Sequence, residues 1–172
     1  MATSWRENKY EKTTHCEAVR PGRGVTAFLV WSAIIQDCTV MRHFSPKMTL
    51  ESLEQSVWQL PENATPLMVR CHRLRKKPLG EFRIEDLRLM IGQRIGLSFL
   101  LPMAIEKLRK NLFAEGDLYE GDLLSAILRI EPMFWELHPM LHREVLKLMR
   151  GRTAELEDQR IRWKQFPGLR NL

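Results

Sequence analysis

From Thr49 onward, apolar residues recur at the spacing of amphipathic helices. Leu50, Leu53 and Val57 follow i, i+3, i+7, with Trp58 and Leu60 beside them and Pro61 ending the element. Thr65-Pro66 reads as an N-cap followed by proline at the first helical position, where its missing N–H costs nothing. Leu67, Cys71 and Leu74 then form one stripe, stopped by Pro78 and Gly80. Ile84, Leu87 and Ile91 make the next, with Glu85 and Asp86 placed in its first turn, where negative charge favours the helix dipole. Gly92 and Gly96 bracket a connection that needs positive φ or close packing. Leu97, Leu101, Ala104, Ile105, Leu108 and Leu112 line a longer helix that Pro102 should kink or restart, while Glu106, Lys107, Arg109 and Lys110 fill its outer face.

A loop over 113–121 leads into a stretch, Leu123 to Ile130, in which only Ser125 and Arg129 are polar. A helix apolar on every side belongs at the centre of a core. Glu131-Pro132 and His138-Pro139 open two further helices. In the second, Leu141, Val145, Leu148 and Met149 face one way and His142, Arg143, Glu144 and Lys147 the other. Thr153 caps a last, mostly charged segment carrying Leu156 and Trp163. No alternating strand pattern appears after residue 48, so the expected fold is all-α, a compact bundle of about seven short helices.

Before Met48 the pattern differs. Residues 1–47 show neither caps nor a sustained period, and read as an N-terminal extension, either disordered or an over-extended gene start, ahead of a helical domain over 48–172. The apolar stretch 25–35 is compatible with a strand or a short helix packed on that domain. It also resembles the apolar part of a secretory signal, but Glu7, Glu11 and Glu17 precede it and no A-x-A-like site follows. No apolar run approaches the roughly 20 residues that span a bilayer. Cys16, Cys38 and Cys71 are few, odd in number and far apart, which favours reduced thiols in a cytoplasmic protein over a disulfide framework.

The chain has 172 residues, 44% hydrophobic and 28% charged, and a formal net charge of +6. That composition excludes collagenous, low-complexity and disulfide-scaffold classes. Taken alone, the charge suggests nucleic acid or an anionic membrane as partner, yet a surplus of this size also simply keeps a domain soluble. Half of it lies in residues 1–47.

Few groupings suggest chemistry. His138 and His142 have the spacing of two ligands on one helix face, but Pro139 intervenes and no third ligand is near, so no metal site is expected. Cys71 falls on an apolar stripe and reads as a structural thiol. Gly92 to Gly96 lacks the preceding strand and following Lys of a phosphate cradle, and no nucleophile motif is present. We expect no catalytic residues, no cofactor and no enzyme.

Two charged features remain. Arg70, Arg73, Arg75, Lys76 and Lys77 form a basic run, in which Arg70, Arg73 and Lys77 share a face opposite Leu67 and Leu74. It reads either as a solvated or structural helix surface or as the face of a helical nucleic-acid-binding regulator, although it lacks aromatic stacking groups. Glu115, Asp117, Tyr119, Glu120 and Asp122 crowd one loop between apolar helices. Dense acid around an aromatic suits an interface to a cationic surface. Service to the dipole of the following helix accounts for Glu120 and Asp122 but not for Glu115, Asp117 and Tyr119.

The stretches Cys71-His72-Arg73-Leu74-Arg75-Lys76-Lys77-Pro78-Leu79, Ile84-Glu85-Asp86-Leu87-Arg88-Leu89-Met90-Ile91-Gly92-Gln93, Ala114-Glu115-Gly116-Asp117-Leu118-Tyr119 and Gly121-Asp122-Leu123-Leu124 resemble one family. It is that of the immunity proteins of bacterial contact-dependent growth inhibition (CDI) systems, in a small all-helical subfamily. The resemblance runs through 49–150, with its motifs in order. The sequence departs from the family pattern at Arg83, where a capping Thr or Ser is usual, and at Glu120, where a proline often follows the aromatic. The resemblance implies a cytoplasmic protein that binds and blocks the cognate C-terminal toxin domain of a delivered effector, without catalysis, nucleic acid or membrane. Many such toxins are nucleases with basic clefts, which would match an acidic contact surface at Glu115, Asp117, Tyr119, Glu120 and Asp122.

Overall fold

The computed structural model describes residues 45–168. Cys16, Cys38, the apolar stretch 25–35 and most of the proposed extension lie outside the described residues.

Eight α-helices follow one another among the described residues: α1 (Leu50–Leu53), α2 (Pro66–Lys76), α3 (Ile84–Gly92), α4 (Leu97–Lys110), α5 (Asp122–Leu128), α6 (Pro132–Leu137), α7 (Pro139–Met149) and α8 (Thr153–Asp158), with a 3₁₀ turn at Leu79–Glu81. There is no strand among them, only an isolated antiparallel bridge between Thr49 and Pro78. The all-α expectation holds.

The core is built around α5. Every residue from Asp122 to Leu128 is buried, and Leu123, Leu124 and Ile127 have no exposed surface. Burying such a side chain contributes about 1.5–3 kcal/mol, so this short helix is held by its packing rather than by its propensity. It lies against α3 on one side and α4 on another, and α4 in turn packs on α7. Leu141, Val145 and Met149 of α7 are buried as their spacing predicts. After α8, Ile161 and Phe166 return to the core, closing over Gly121 and Trp135 respectively.

Local signals account for most helix starts. Thr49 and Ser52 cap α1 reciprocally, each hydroxyl accepting the other's backbone N–H. Thr65 Oγ1 accepts the Met68 N–H, with Pro66 at the first position of α2. Arg83 offers no side-chain cap to α3; Asp86 instead accepts the Arg83 N–H at 3.0 Å. Gly96 meets both conditions expected of the α3–α4 connection, with φ of +62° and Leu50 so close that a Cβ would stand 2.8 Å from its Cδ2. Gly92 meets neither, since nothing lies within 4 Å of its would-be Cβ.

Three local expectations are corrected and one is narrowed. α1 stops at Leu53, and Val57 is 70% exposed in the loop beyond it. The reason is Arg75, described below, which draws residues 54–58 across α2. Leu67 is exposed, and the buried stripe of α2 is Cys71, Leu74 and Arg75. Of the two outcomes expected at Pro102, the restart is absent, since α4 runs unbroken from Leu97 to Lys110. Thr153 is the first residue of α8 rather than its cap, a position held by Arg152.

Candidate functional site

The acidic loop joins α4 to α5, the helix most deeply set in the core. Gly121, with φ of +82°, turns the chain into α5, and a Cβ there would come 2.7 Å from Ile161. The loop closes on itself through the Gly121 N–H, which donates to the Phe113 carbonyl at 3.0 Å.

The five acidic-loop candidates divide by orientation. Glu115 and Glu120 are exposed and make no ion pair among the described residues. The Asp117 side chain is 65% exposed and stands 3.5 Å from the Arg70 guanidinium. Tyr119 is 43% exposed, with its hydroxyl accepting from Arg129 at 3.2 Å. Asp122 is different. Its carboxylate is 1% exposed and turned inward, so it cannot reach a partner that the other four could touch. Its oxygens accept the N–H groups of Gly116 (2.8 Å) and Leu118 (3.2 Å). Leu118 itself, which the sequence pattern did not single out, is 62% exposed at the outer edge of the loop.

Sequence spacing also missed Glu85 and Arg88. Glu85, on the first turn of α3, is buried beneath the loop and accepts the Asp117 N–H at 3.1 Å. Arg88 donates to both its oxygens, at 2.5 and 2.7 Å, and lies 3.6 Å from Asp122. Arg70 stands 3.3 Å from the same Glu85 carboxylate. The Arg88 hydrogen bonds hold the Glu85 carboxyl below its ordinary range against the opposing effect of burial, and the Asp117 amide adds to the lowering. Glu85 in turn raises the Arg88 guanidinium above its ordinary value. Gly116 lets the backbone approach closely: a Cβ there would lie 2.8 Å from both Asp122 Oδ2 and Glu85 Oε2, so a larger residue must displace the two carboxylates.

The basic run of α2 is largely taken up inside the molecule. Arg75 is fully buried. It pairs with Glu54, donates to the Ser56 carbonyl at 2.7 Å, and lies 3.9 Å from the centre of the Trp58 ring. His72 Nε2–H donates to the Trp58 carbonyl at 3.1 Å. Lys77 bonds Asp86 at 2.7 Å, and Arg70 faces Glu85 and Asp117. Arg73 and Lys76 are exposed.

The two histidines serve the α6–α7 corner. His138 stacks on Phe134 and donates from Nδ1 to its carbonyl at 2.9 Å, which leaves Nε2 to accept from Ser98. His142 Nε2–H donates to the Pro167 carbonyl at 2.9 Å, and its ring lies against Trp135 and Phe166. Among the described residues, no three His, Cys, Asp or Glu side chains are grouped so as to hold a metal ion. No described helix is long and apolar enough to cross a membrane.

No curated protein matches the chain. A family model does, over residues 52–145, a span from just inside α1 to the middle of α7 that contains α3, α5 and the acidic loop between α4 and α5. That model is described as CDI immunity proteins and covers more than half of the sequence. The chain belongs to the family of CDI immunity proteins.

Proposed function

We propose that this protein binds the cognate C-terminal toxin domain of a CDI effector in the cytoplasm and neutralises it by stoichiometric association, with no catalysis by the immunity protein. The observation that carries this reading is membership of the immunity family over 52–145. The contact surface we assign is the outward part of the loop: Glu115, Asp117, Tyr119 and Glu120, with Asp122 holding the loop from inside. Three exposed carboxylates around a half-exposed tyrosine suit a basic cleft such as that of a nuclease. They would steer the encounter and occupy the cleft in place of phosphate.

The reading as a helical nucleic-acid binder is less well supported. Of the five cations in the 70–77 run, Arg75 is buried, Lys77 is bonded to Asp86 and Arg70 stands against two carboxylates. Loss of nucleic-acid binding on raising salt would be its signature.

Growth of cells making the C-terminal domain encoded by the gene immediately upstream, with and without this protein, tests the proposal. Co-expression is expected to restore growth, and the purified proteins to form a one-to-one complex. Continued growth arrest, with no complex formed, would overturn it.

A further inference from the structure

Glu85 and Asp122, with 8% and 1% of their side chains exposed, are too deep to touch a partner, yet both are bonded to the loop backbone. Between them they accept three consecutive amides: Gly116 to Asp122 Oδ1, Asp117 to Glu85 Oε2, and Leu118 to Asp122 Oδ2. Arg88 joins the two carboxylates from α3, and Arg70 joins Glu85 to Asp117 from α2. The charged groups facing the clasp are thus Arg70 from α2, Glu85 and Arg88 from α3, Asp117 from the loop and Asp122 from α5. Because α3 and α5 are packed against each other in the core, the clasp fixes the loop to the centre of the fold.

We infer that Glu85, Arg88 and Asp122 are positioning residues, which hold residues 116–118 in one conformation in the free protein. The loop then meets its partner already ordered, with Leu118 and Tyr119 set outward among Glu115, Asp117 and Glu120. Ordering of the loop is completed on folding rather than on binding, which favours tight association. Leu118 is added to the contact set. The inference rests on the reading of this loop as the toxin-contact surface.

The clasp is tested first without any partner. Amide exchange is followed by NMR in the full chain and in Glu85→Gln, which keeps the side chain's shape but removes its charge. The Gly116, Asp117 and Leu118 amides should exchange at least ~10-fold faster, beyond any change at Ala104, Ile105 and Leu108 of α4, which report global opening. If loop and α4 amides change in step, Glu85 is structural only and the inference fails. The second arm measures affinity for the toxin domain encoded upstream, using Glu85→Gln, Leu118→Ala and the double variant. If Glu85 acts through the loop, the double variant binds clearly tighter than the product of the two single losses predicts; fully multiplicative losses would overturn the positioning role. Complete failure of the unaltered protein to bind that domain would remove the toxin reading. The amide-exchange result would then decide the clasp alone.

Discussion

Arg75 offers the sharpest test of how α1 and α2 are held together. Its side chain is 1% exposed and serves three partners at once: the Glu54 carboxylate, the Ser56 carbonyl at 2.7 Å and the Trp58 ring at 3.9 Å. Arg75→Ala removes all three contacts and leaves a void beneath Trp58. Breaking a buried ion pair by deleting one partner costs about 3–5 kcal/mol. Glu54 keeps 24% of its side chain in water and can rehydrate, so the lower end of that range, about 3 kcal/mol, is expected. Urea unfolding followed by circular dichroism gives the value directly. The double variant Arg75→Met, Glu54→Met replaces the pair with apolar groups of similar length and should lose much less, because no unpaired charge remains. A loss below ~1 kcal/mol for Arg75→Ala, the range of a solvated surface cation, would mean that Arg75 does not hold α1 to α2.

Three further outcomes follow from the same geometry. Gly96→Ala should lower stability by at least ~1 kcal/mol, since it combines positive φ with contact against Leu50, whereas Gly92→Ala should raise it by about 0.5–1 kcal/mol; thermal melts separate the two. Gly116→Ala pushes a methyl between Asp122 and Glu85 and should weaken the loop with α4 and α7 intact, seen as NMR shift changes confined to 113–122 and α3. The folded-state pKa of Glu85 is depressed, so its contribution to stability is fully present above its ordinary value of 4.5 and is lost as pH falls from there through the depressed value. The difference in thermal midpoint between wild type and Glu85→Gln should be constant near neutrality and shrink below about pH 4.5; a difference that grew on acidification would contradict the assignment.

What the sequence made legible was local. Thr49 and Thr65-Pro66 announce helix starts because a cap is read within three residues of itself. α5 announces the core because it is apolar on every side. The two misses that matter most at the site and beside it, Arg75 and Glu85, share one cause, which is pairing between residues distant along the chain. Arg75 read only as one cation of a basic run because its partners, Glu54 to Trp58, lie some 20 residues earlier in a segment that read as more helix. Likewise Glu85 looked like a dipole-favouring residue, and its bond to the Asp117 amide spans 32 positions. At the loop, spacing identified the crowding of acids but not their directions. Gly121 turns the chain so that Asp122 points inward while Glu115 and Glu120 stay in water. The glycine at 116 was visible as a loop residue, but its close approach to two carboxylates is apparent only once they are seen against it.

The proposed contact is between the outward acids of this loop and a basic toxin surface. It is tested most directly by the association rate of the purified protein with the toxin domain encoded upstream, measured at low and high salt for wild type and for Glu115→Lys, Glu120→Lys. Neither side chain has an ion-pair partner among the described residues, so the substitutions change charge without unpicking the clasp. Association should be slowed ~10-fold or more at low salt, with the difference largely lost at high salt. An unchanged association rate at low salt would contradict it and place the contact surface elsewhere on the molecule.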